Sequence, residues 1–191
     1  MLLLVSVCIE WVTEVSVKKR PGIEGFTLIE LLLVIMIIGI ISAIAIPGLL
    51  RARIAGNEAS AIGSMRAVHN SEVTYAQTCG GGGYATSLDD LATPPTSGGS
   101  SFITPDLNAN GVVKAGYTLL VVPGTAASNV LGGGGTCNGT TSQSSYHATA
   151  TPATMGQTGT RAFSTNNSGT VYQNYTGVAI PATLAGAQVL Q

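Results

Sequence analysis

One stretch constrains the fold more than any other, and it is the apolar run at residues 26–46. Four of its 21 residues are not apolar, namely Thr27, Glu30, Gly39 and Ser42. As an α-helix the run would be about 31 Å long, which is enough to cross the hydrocarbon core of a bilayer. A carboxylate near the centre of such a helix costs roughly 2.5–3.5 kcal/mol, but Glu30 lies in the first turn. The sequence therefore predicts a membrane-spanning helix with a carboxylate at its start.

The charges that flank the run predict its orientation. Lys18, Lys19 and Arg20 precede it, and no comparable cluster follows it closely. By the positive-inside rule, the N-terminal flank stays in the cytoplasm and the bulk of the chain is exported. An ordinary secretory signal peptide is disfavoured, because the run is too long and no Ala-x-Ala cleavage site follows it. A plain signal anchor remains an alternative.

The segment Gly25-Phe26-Thr27-Leu28-Ile29-Glu30, placed after a basic cluster, resembles the processing site of bacterial type IV prepilins and pseudopilins. The resemblance covers roughly residues 18–75. It implies that an aspartyl prepilin peptidase cleaves between Gly25 and Phe26 and methylates the new amine of Phe26. Glu30 then becomes the fifth residue of the mature chain, where the family carries its glutamate. Pro47 matches a proline that the family carries further along the helix.

Residues 1–25 are the expected leader. Residues 1–17 are too short for a second membrane span and carry two glutamates. A translation start at Val17 would leave a short basic leader of the kind that is usual in the family, so residues 1–16 are expected not to be translated. The leader takes no part in the predicted fold.

Beyond residue 46 the helix is predicted to continue to residue 78 with a different character. Pro47 should kink or loosen it, because proline removes a backbone donor and clashes with the preceding turn. Apolar or half-apolar side chains then recur at helical spacing, at Ile54, Ile62, Met65, His69, Val73 and Ala76. This stripe needs a partner surface, and the expected partner is the C-terminal sheet of the same chain. The glycines at residues 80–83 end the helix.

Residues 79–191 are predicted to form a β-rich head. Residues 117–122 are the best strand, and residues 145–151 form a second strand in which Tyr146, Ala148 and Ala150 alternate with polar side chains. Residues 161–165 and 169–173 indicate a hairpin. Residues 84–91 suggest a turn and a short helix, residues 92–115 a loop, and residues 174–191 show no pattern. The predicted class is α+β, a long helix packed on an antiparallel sheet, as the resemblance to type IV pilins also implies.

The cysteines predict one disulfide bond. Cys8 lies in the leader, which leaves Cys79 and Cys137 with a single possible pairing. Glycine tracts adjoin both residues and suggest flexible backbone there. In the chain-entropy model such a bond stabilises the head by about 4 kcal/mol, and an exported protein can keep it. Two free thiols are the alternative.

Signs of metal binding or catalysis are few. Asp106, Asn108 and Asn110 match the first half of a calcium-binding loop, but Tyr117 stands where the loop needs a glutamate, and any turn could use this sequence. His69 and His147, the two histidines, have no metal-ligand spacing. Nucleophile-elbow and phosphate-loop motifs are missing from the sequence. We therefore expect no enzyme activity, no cofactor and no metal other than this weak calcium candidate.

The chain carries few charged residues, and its net charge argues against nucleic acid as a partner. The net charge of −1 shows neither the basic excess that a nucleic-acid site needs nor an acidic one. From residue 115 to residue 191 the only charged residue is Arg161. A dispersed monomer usually carries more charge. Either this surface is an ordinary polar one that is rich in Thr, Ser and Asn, or much of it contacts other subunits or carries sugar.

These observations predict the subunit of a type IV pilus. The chain would be a single-pass inner-membrane protein with a periplasmic head, in contact with lipid until an assembly platform adds it to an extracellular filament of identical subunits. Adhesion, twitching motility or DNA uptake would follow. In the filament Glu30 would meet the Phe26 amine of a neighbouring subunit. The alternatives are a pseudopilin of a type II secretion system and a signal-anchored periplasmic module that does not polymerise.

Overall fold

A computed structural model describes residues 25–190 of the chain. These residues fall into two compact units, of which the first ends at Ile44 and the second begins at Ala45. Helix α1, Leu28–Thr78, contributes to both units. The basic cluster at residues 18–20, Cys8 and the proposed translation start all lie outside the described residues.

The first unit is the N-terminal part of α1. From Gly25 to Ile44 every residue is exposed except Ser42, which is half-buried. The helix is long and apolar enough to cross a membrane, and the apolar segment that meets this test is not buried in the structure. The predicted helix is confirmed, and it begins two residues after Phe26.

Pro47 lies inside α1, just after the boundary between the two units. The helix continues past it without a break in assignment. The proline therefore does not end the helix, and the kink remains a prediction.

The second unit contains two antiparallel sheets. The larger has the strand order β2-β3-β6-β7-β8-β9, and the smaller has the order β1-β5-β4. The strands are β1 Tyr84–Ala85, β2 Val113–Lys114, β3 Tyr117–Pro123, β4 Asn129–Leu131, β5 Ser142–Gln143, β6 Tyr146–Pro152, β7 Ala162–Asn166, β8 Val171–Asn174 and β9 Gln188–Val189. Helix α2, Leu88–Ala92, and a 3-10 turn, Pro105–Leu107, lie in the connections. The predicted α+β class is confirmed, as are both long strands and the β7–β8 hairpin.

One core joins the helix to the larger sheet. Met65, Val68 and Tyr75 from α1 belong to the same buried cluster as Leu119 of β3 and Phe163 of β7. The buried face of α1 differs from the predicted stripe, since Glu58, Ser64 and Glu72 are also buried in it. A count of apolar residues cannot find these positions, because their burial depends on hydrogen-bond partners that are distant in sequence.

The structure corrects the account of β6. Apolar and polar side chains alternate along this strand in the sequence, but the polar ones are buried as well: His147 is only 3% exposed, and Thr149 is also buried. The residues after β8, which showed no pattern in the sequence, contribute to the burial of His147. Ile180 is buried, and its carbonyl oxygen lies 2.8 Å from His147 Nε2. Strand β9 then returns to pair with β8.

Candidate functional site

The start of α1 is closed by a reciprocal pair of hydrogen bonds between Thr27 and Glu30. The Glu30 backbone N–H donates to Thr27 Oγ1 at 3.3 Å, and the Thr27 backbone N–H donates to Glu30 Oε2 at 3.4 Å. The Thr27 hydroxyl also donates to Glu30 Oε2 at 3.1 Å. This is a capping box, in which each side chain satisfies a backbone donor that the helix leaves free. The carboxylate also lies at the positive end of the helix dipole.

This cap was not among the predicted features, although Thr-x-x-Glu at residues 27–30 is its usual signal. The box gives Glu30 a role within a single subunit. Any test of a role between subunits must therefore separate the charge of Glu30 from its capping function.

Gly25 and Phe26 lie before the first turn, outside regular secondary structure. Both are exposed, and the Phe26 side chain is 71% exposed. A processing enzyme needs a peptide that is outside regular secondary structure and uncovered, so the geometry is compatible with cleavage between these residues. Their role as processing site remains a prediction.

A second cluster holds α1 to the sheet through Glu58. Its Oε1 accepts hydrogen bonds from the Thr160 backbone N–H at 2.9 Å and from the Thr160 hydroxyl at 2.8 Å. Its Oε2 accepts from Arg161 Nε at 2.9 Å and Nη2 at 2.6 Å. Burial alone would raise the pKa of Glu58, but the bonds from Thr160 and Arg161 outweigh burial and lower it. The lone charge noted between residues 115 and 191 thus pairs with the helix.

Glu72 is the other buried carboxyl group of α1. It is fully buried, and its Oε2 accepts a hydrogen bond from the Ala85 backbone N–H at 2.8 Å. Burial raises the pKa of Glu72 well above its usual value, and the nearby charge of Asp90 adds to the rise. The Glu72 side chain therefore links β1 to the helix.

Two of the three calcium candidates, Asp106 and Asn110, have protein partners. Asn110 Oδ1 accepts from the backbone N–H groups of Leu88 and Val121 at 3.2 and 3.0 Å. Asp106 Oδ2 lies 2.6 Å from Lys114 Nζ, and Asn108 is exposed. Among the described residues, no three His, Cys, Asp or Glu side chains are grouped so that they could hold a metal. The Asn110 side chain is a bridge from α2 to β3.

Cys79 and Cys137 are joined by a disulfide bond in the structure, with their Cα atoms 4.8 Å apart. The bond connects the end of α1 to the loop before β5. The adjoining glycines were interpreted as flexible, but two of them are tightly packed. A Cβ atom on Gly80 would lie 2.1 Å from the Gly83 carbonyl oxygen, and one on Gly83 would lie 2.8 Å from Ser142 Oγ. These positions need glycine for space.

Comparison with known families gives one match, to the prokaryotic N-terminal methylation motif over residues 21–46. Searches of curated proteins and of solved structures found no match. The matched segment contains Gly25, Phe26 and the capping box, and it reaches almost to Pro47. The motif implies processing by prepilin peptidase and assembly as a polymer, and it marks a structural class of proteins rather than a class of enzymes. With its apolar helix, the motif also fits membrane anchoring before assembly. Residues 21–46 thus carry the signature of the precursors of type IV pilins and pseudopilins.

Proposed function

We propose that the chain is the structural subunit of a type IV pilus, a surface filament built from identical copies. Prepilin peptidase removes residues 1–25, and the new amine of Phe26 is methylated. The subunit is held in the inner membrane by residues 26–46, with the head, residues 79–191, in the periplasm. An assembly platform then adds it to a filament that serves adhesion, twitching motility or DNA uptake.

The observation that carries this proposal is the exposed apolar surface of α1 within the methylation motif. Leu28 and Ile44 are among its most exposed apolar side chains, at 78% and 77%. Exposing apolar surface to water costs about 25 cal/mol for each Å². Such a helix needs hydrocarbon around it before assembly and other apolar helices around it afterwards. A filament core of bundled helices supplies the second environment.

Glu30 supports the proposal through its charge. After cleavage, the Phe26 amine carries a positive charge at the start of an apolar helix, and the Glu30 carboxylate lies one turn away. Both charges are costly in an apolar environment unless they are paired. The amine of one subunit and the carboxylate of its neighbour would neutralise each other only in one axial register, so Glu30 would act as an assembly latch.

Deleting the gene and imaging the cell surface by electron microscopy tests this function. We expect all fibres to be lost, because a filament cannot form without its main subunit. Expression of the wild-type chain from a plasmid should restore them. Intact fibres together with a block in protein export would contradict the proposal and assign the chain as a pseudopilin of a type II secretion system.

A further inference from the structure

A cleft at the β8–β9 end of the larger sheet has no role in the filament proposal. Its volume is about 610 Å³, and small-molecule sites typically measure roughly 300–1,000 Å³. Six residues line it, namely Arg161, Gln173, Tyr175, Gln188, Val189 and Leu190. Their chemistry is mixed, with one aromatic ring, two amides and one guanidinium group.

The amide groups are placed together by the strand register. Gln173 of β8 lies directly opposite Gln188 of β9, so the two side chains share one face of the sheet. Gln173 is only 8% exposed, and its Nε2 lies 3.5 Å from the Tyr175 hydroxyl. An amide presents both a carbonyl acceptor and N–H donors. The cleft can therefore donate and accept hydrogen bonds side by side.

Arg161 brings donors to the cleft without a free charge. Its Nε and Nη2 bond to the Glu58 carboxylate, and its Nη1 donates to Gln173 Oε1 at 2.8 Å. A guanidinium group has five N–H donors, so two remain after these three bonds, and Tyr175 is close enough to interact with one of them. Glu58 balances the positive charge, and among residues 25–190 the cleft is lined by no charged side chain other than Arg161. This favours a neutral ligand over an anion.

Tyr175 supplies an apolar face. It is 63% exposed on a chain in which aromatic residues make up only 5% of the sequence. The C–H face of a pyranose ring can pack on an aromatic ring, while the hydroxyl groups of the sugar both donate and accept hydrogen bonds. We propose that this cleft binds a neutral pyranose unit of a glycan, with Tyr175 as the platform and with Gln173, Gln188 and Arg161 bonding its hydroxyl groups.

The inference deepens the proposed adhesive function and rests on it only for the biological setting. Binding can be measured on the isolated chain, which needs no filament. A chain that binds no sugar but still forms fibres would refute the cleft alone. A chain that binds sugar but forms no fibres would refute the pilus proposal alone.

The test uses the full chain in a detergent that contains no sugar. Three neutral probes are titrated into the protein, namely the methyl glycosides of galactose, mannose and N-acetylglucosamine. A charged probe, methyl glucuronide, is titrated separately for comparison. Saturation-transfer NMR reports which protons contact the protein. We expect at least one neutral probe to bind, with transfer to one ring face, and the charged probe to bind no more tightly.

Two variants test whether the sugar binds in the cleft. Tyr175→Ala should weaken binding by about tenfold, since aromatic anchors dominate small contact surfaces. Tyr172→Ala is the matched control, because Tyr172 lies on β8 but does not line the cleft, and it should change binding by less than about twofold. Tyr175→Ala should leave the number of fibres unchanged.

Four results would overturn the inference. They are the absence of transfer to every neutral probe, equal losses in the two tyrosine variants, tighter binding of methyl glucuronide, or loss of fibres in Tyr175→Ala cells. The third result would indicate a cationic site, and the fourth a contact between subunits.

Discussion

At the scale of single residues, the buried polar groups of the head decide how the helix is held. Glu58, Arg161 and Gln173 form a chain of charge-assisted hydrogen bonds that also includes the Thr160 backbone. The guanidinium carbon of Arg161 lies 5.4 Å from the centre of the Phe163 ring. One carboxylate on α1 thus organises a loop and two strands that are about a hundred residues away in sequence.

Glu58→Gln should lower the free energy of unfolding by about 2 kcal/mol, because it weakens hydrogen bonds to a charged group that is largely buried. Denaturant unfolding of the full chain in detergent measures this change. Arg66→Gln is the control, since Arg66 is exposed on the same helix and should change stability by less than about 0.5 kcal/mol. Equal stability of the Glu58→Gln variant and the wild type would show that the network contributes nothing.

His147 predicts a pH dependence. Burial lowers the pKa of His147 below its usual value of 6.5, and the hydrogen bond to the Ile180 carbonyl offsets this only in part. The unfolded chain therefore takes up a proton at a higher pH than the folded chain. The contribution of His147 to the stability of the head is therefore complete above pH 6.5 and is lost as the pH falls from there through the lowered pKa.

Glu72 has the opposite effect on the pH dependence of stability. Its pKa is raised in the folded chain, so above pH 4.5, the usual pKa of a glutamate, the folded chain binds the proton more tightly than the unfolded chain does. A comparison with His147→Gln isolates the histidine. Between pH 7 and pH 5 the wild-type chain should lose more stability than this variant does, as measured by denaturant unfolding. The same slope in both proteins would exclude His147 as the cause.

At the scale of elements, the disulfide joins the end of α1 to the segment before β5. Cys137→Ser should destabilise the head by about 4 kcal/mol, because the unfolded chain is no longer constrained by a closed loop. Fibre yield should fall while membrane insertion is unchanged. Mass spectrometry of the wild-type chain without reductant should find no free thiol at Cys79 or Cys137, and alkylation of both residues in the native protein would contradict the bond.

Elements differ in how far the sequence predicts them. Helix α1 was predictable because its apolar length and the glycines after it act locally. Strands β3 and β6 and the β7–β8 hairpin were predictable from β-branched residues and turns. Strands β1 and β9, of two residues each, form only because tertiary partners meet them, so no local pattern marks them. The burial of Glu58, Glu72 and His147 also depends on tertiary partners, so it could not be predicted from the local sequence.

The sequence suggests which residues form the candidate site, and their roles stay predictions, whereas it does not suggest the geometry of the site. Gly25, Phe26 and Glu30 follow from the motif that the sequence displays. The capping box was readable from Thr27 and Glu30 and was missed because the glutamate was considered only as a charge in an apolar helix. The cleft around Tyr175 could not be predicted, since it depends on the register of β8 and β9.

At the scale of the whole molecule, the two units differ in how their apolar side chains are buried. The second has its own core, held by the Glu58 network and the disulfide. In the described part of the first unit, residues 25–44, every apolar side chain is exposed and none forms a core within a single copy. The proposed filament resolves this difference by burying the first unit among copies of itself, and Glu30 then sets the register.

The measurement that tests this account most directly is fibre number in Glu30→Gln and Thr27→Ala cells, counted by electron microscopy. Glutamine at residue 30 preserves the capping box but removes the charge, whereas Thr27→Ala weakens the box and keeps the charge. Both variants should be inserted and cleaved normally, which N-terminal mass spectrometry verifies. We expect few or no fibres with Glu30→Gln and near-normal numbers with Thr27→Ala. Wild-type fibre numbers with Glu30→Gln would contradict the latch.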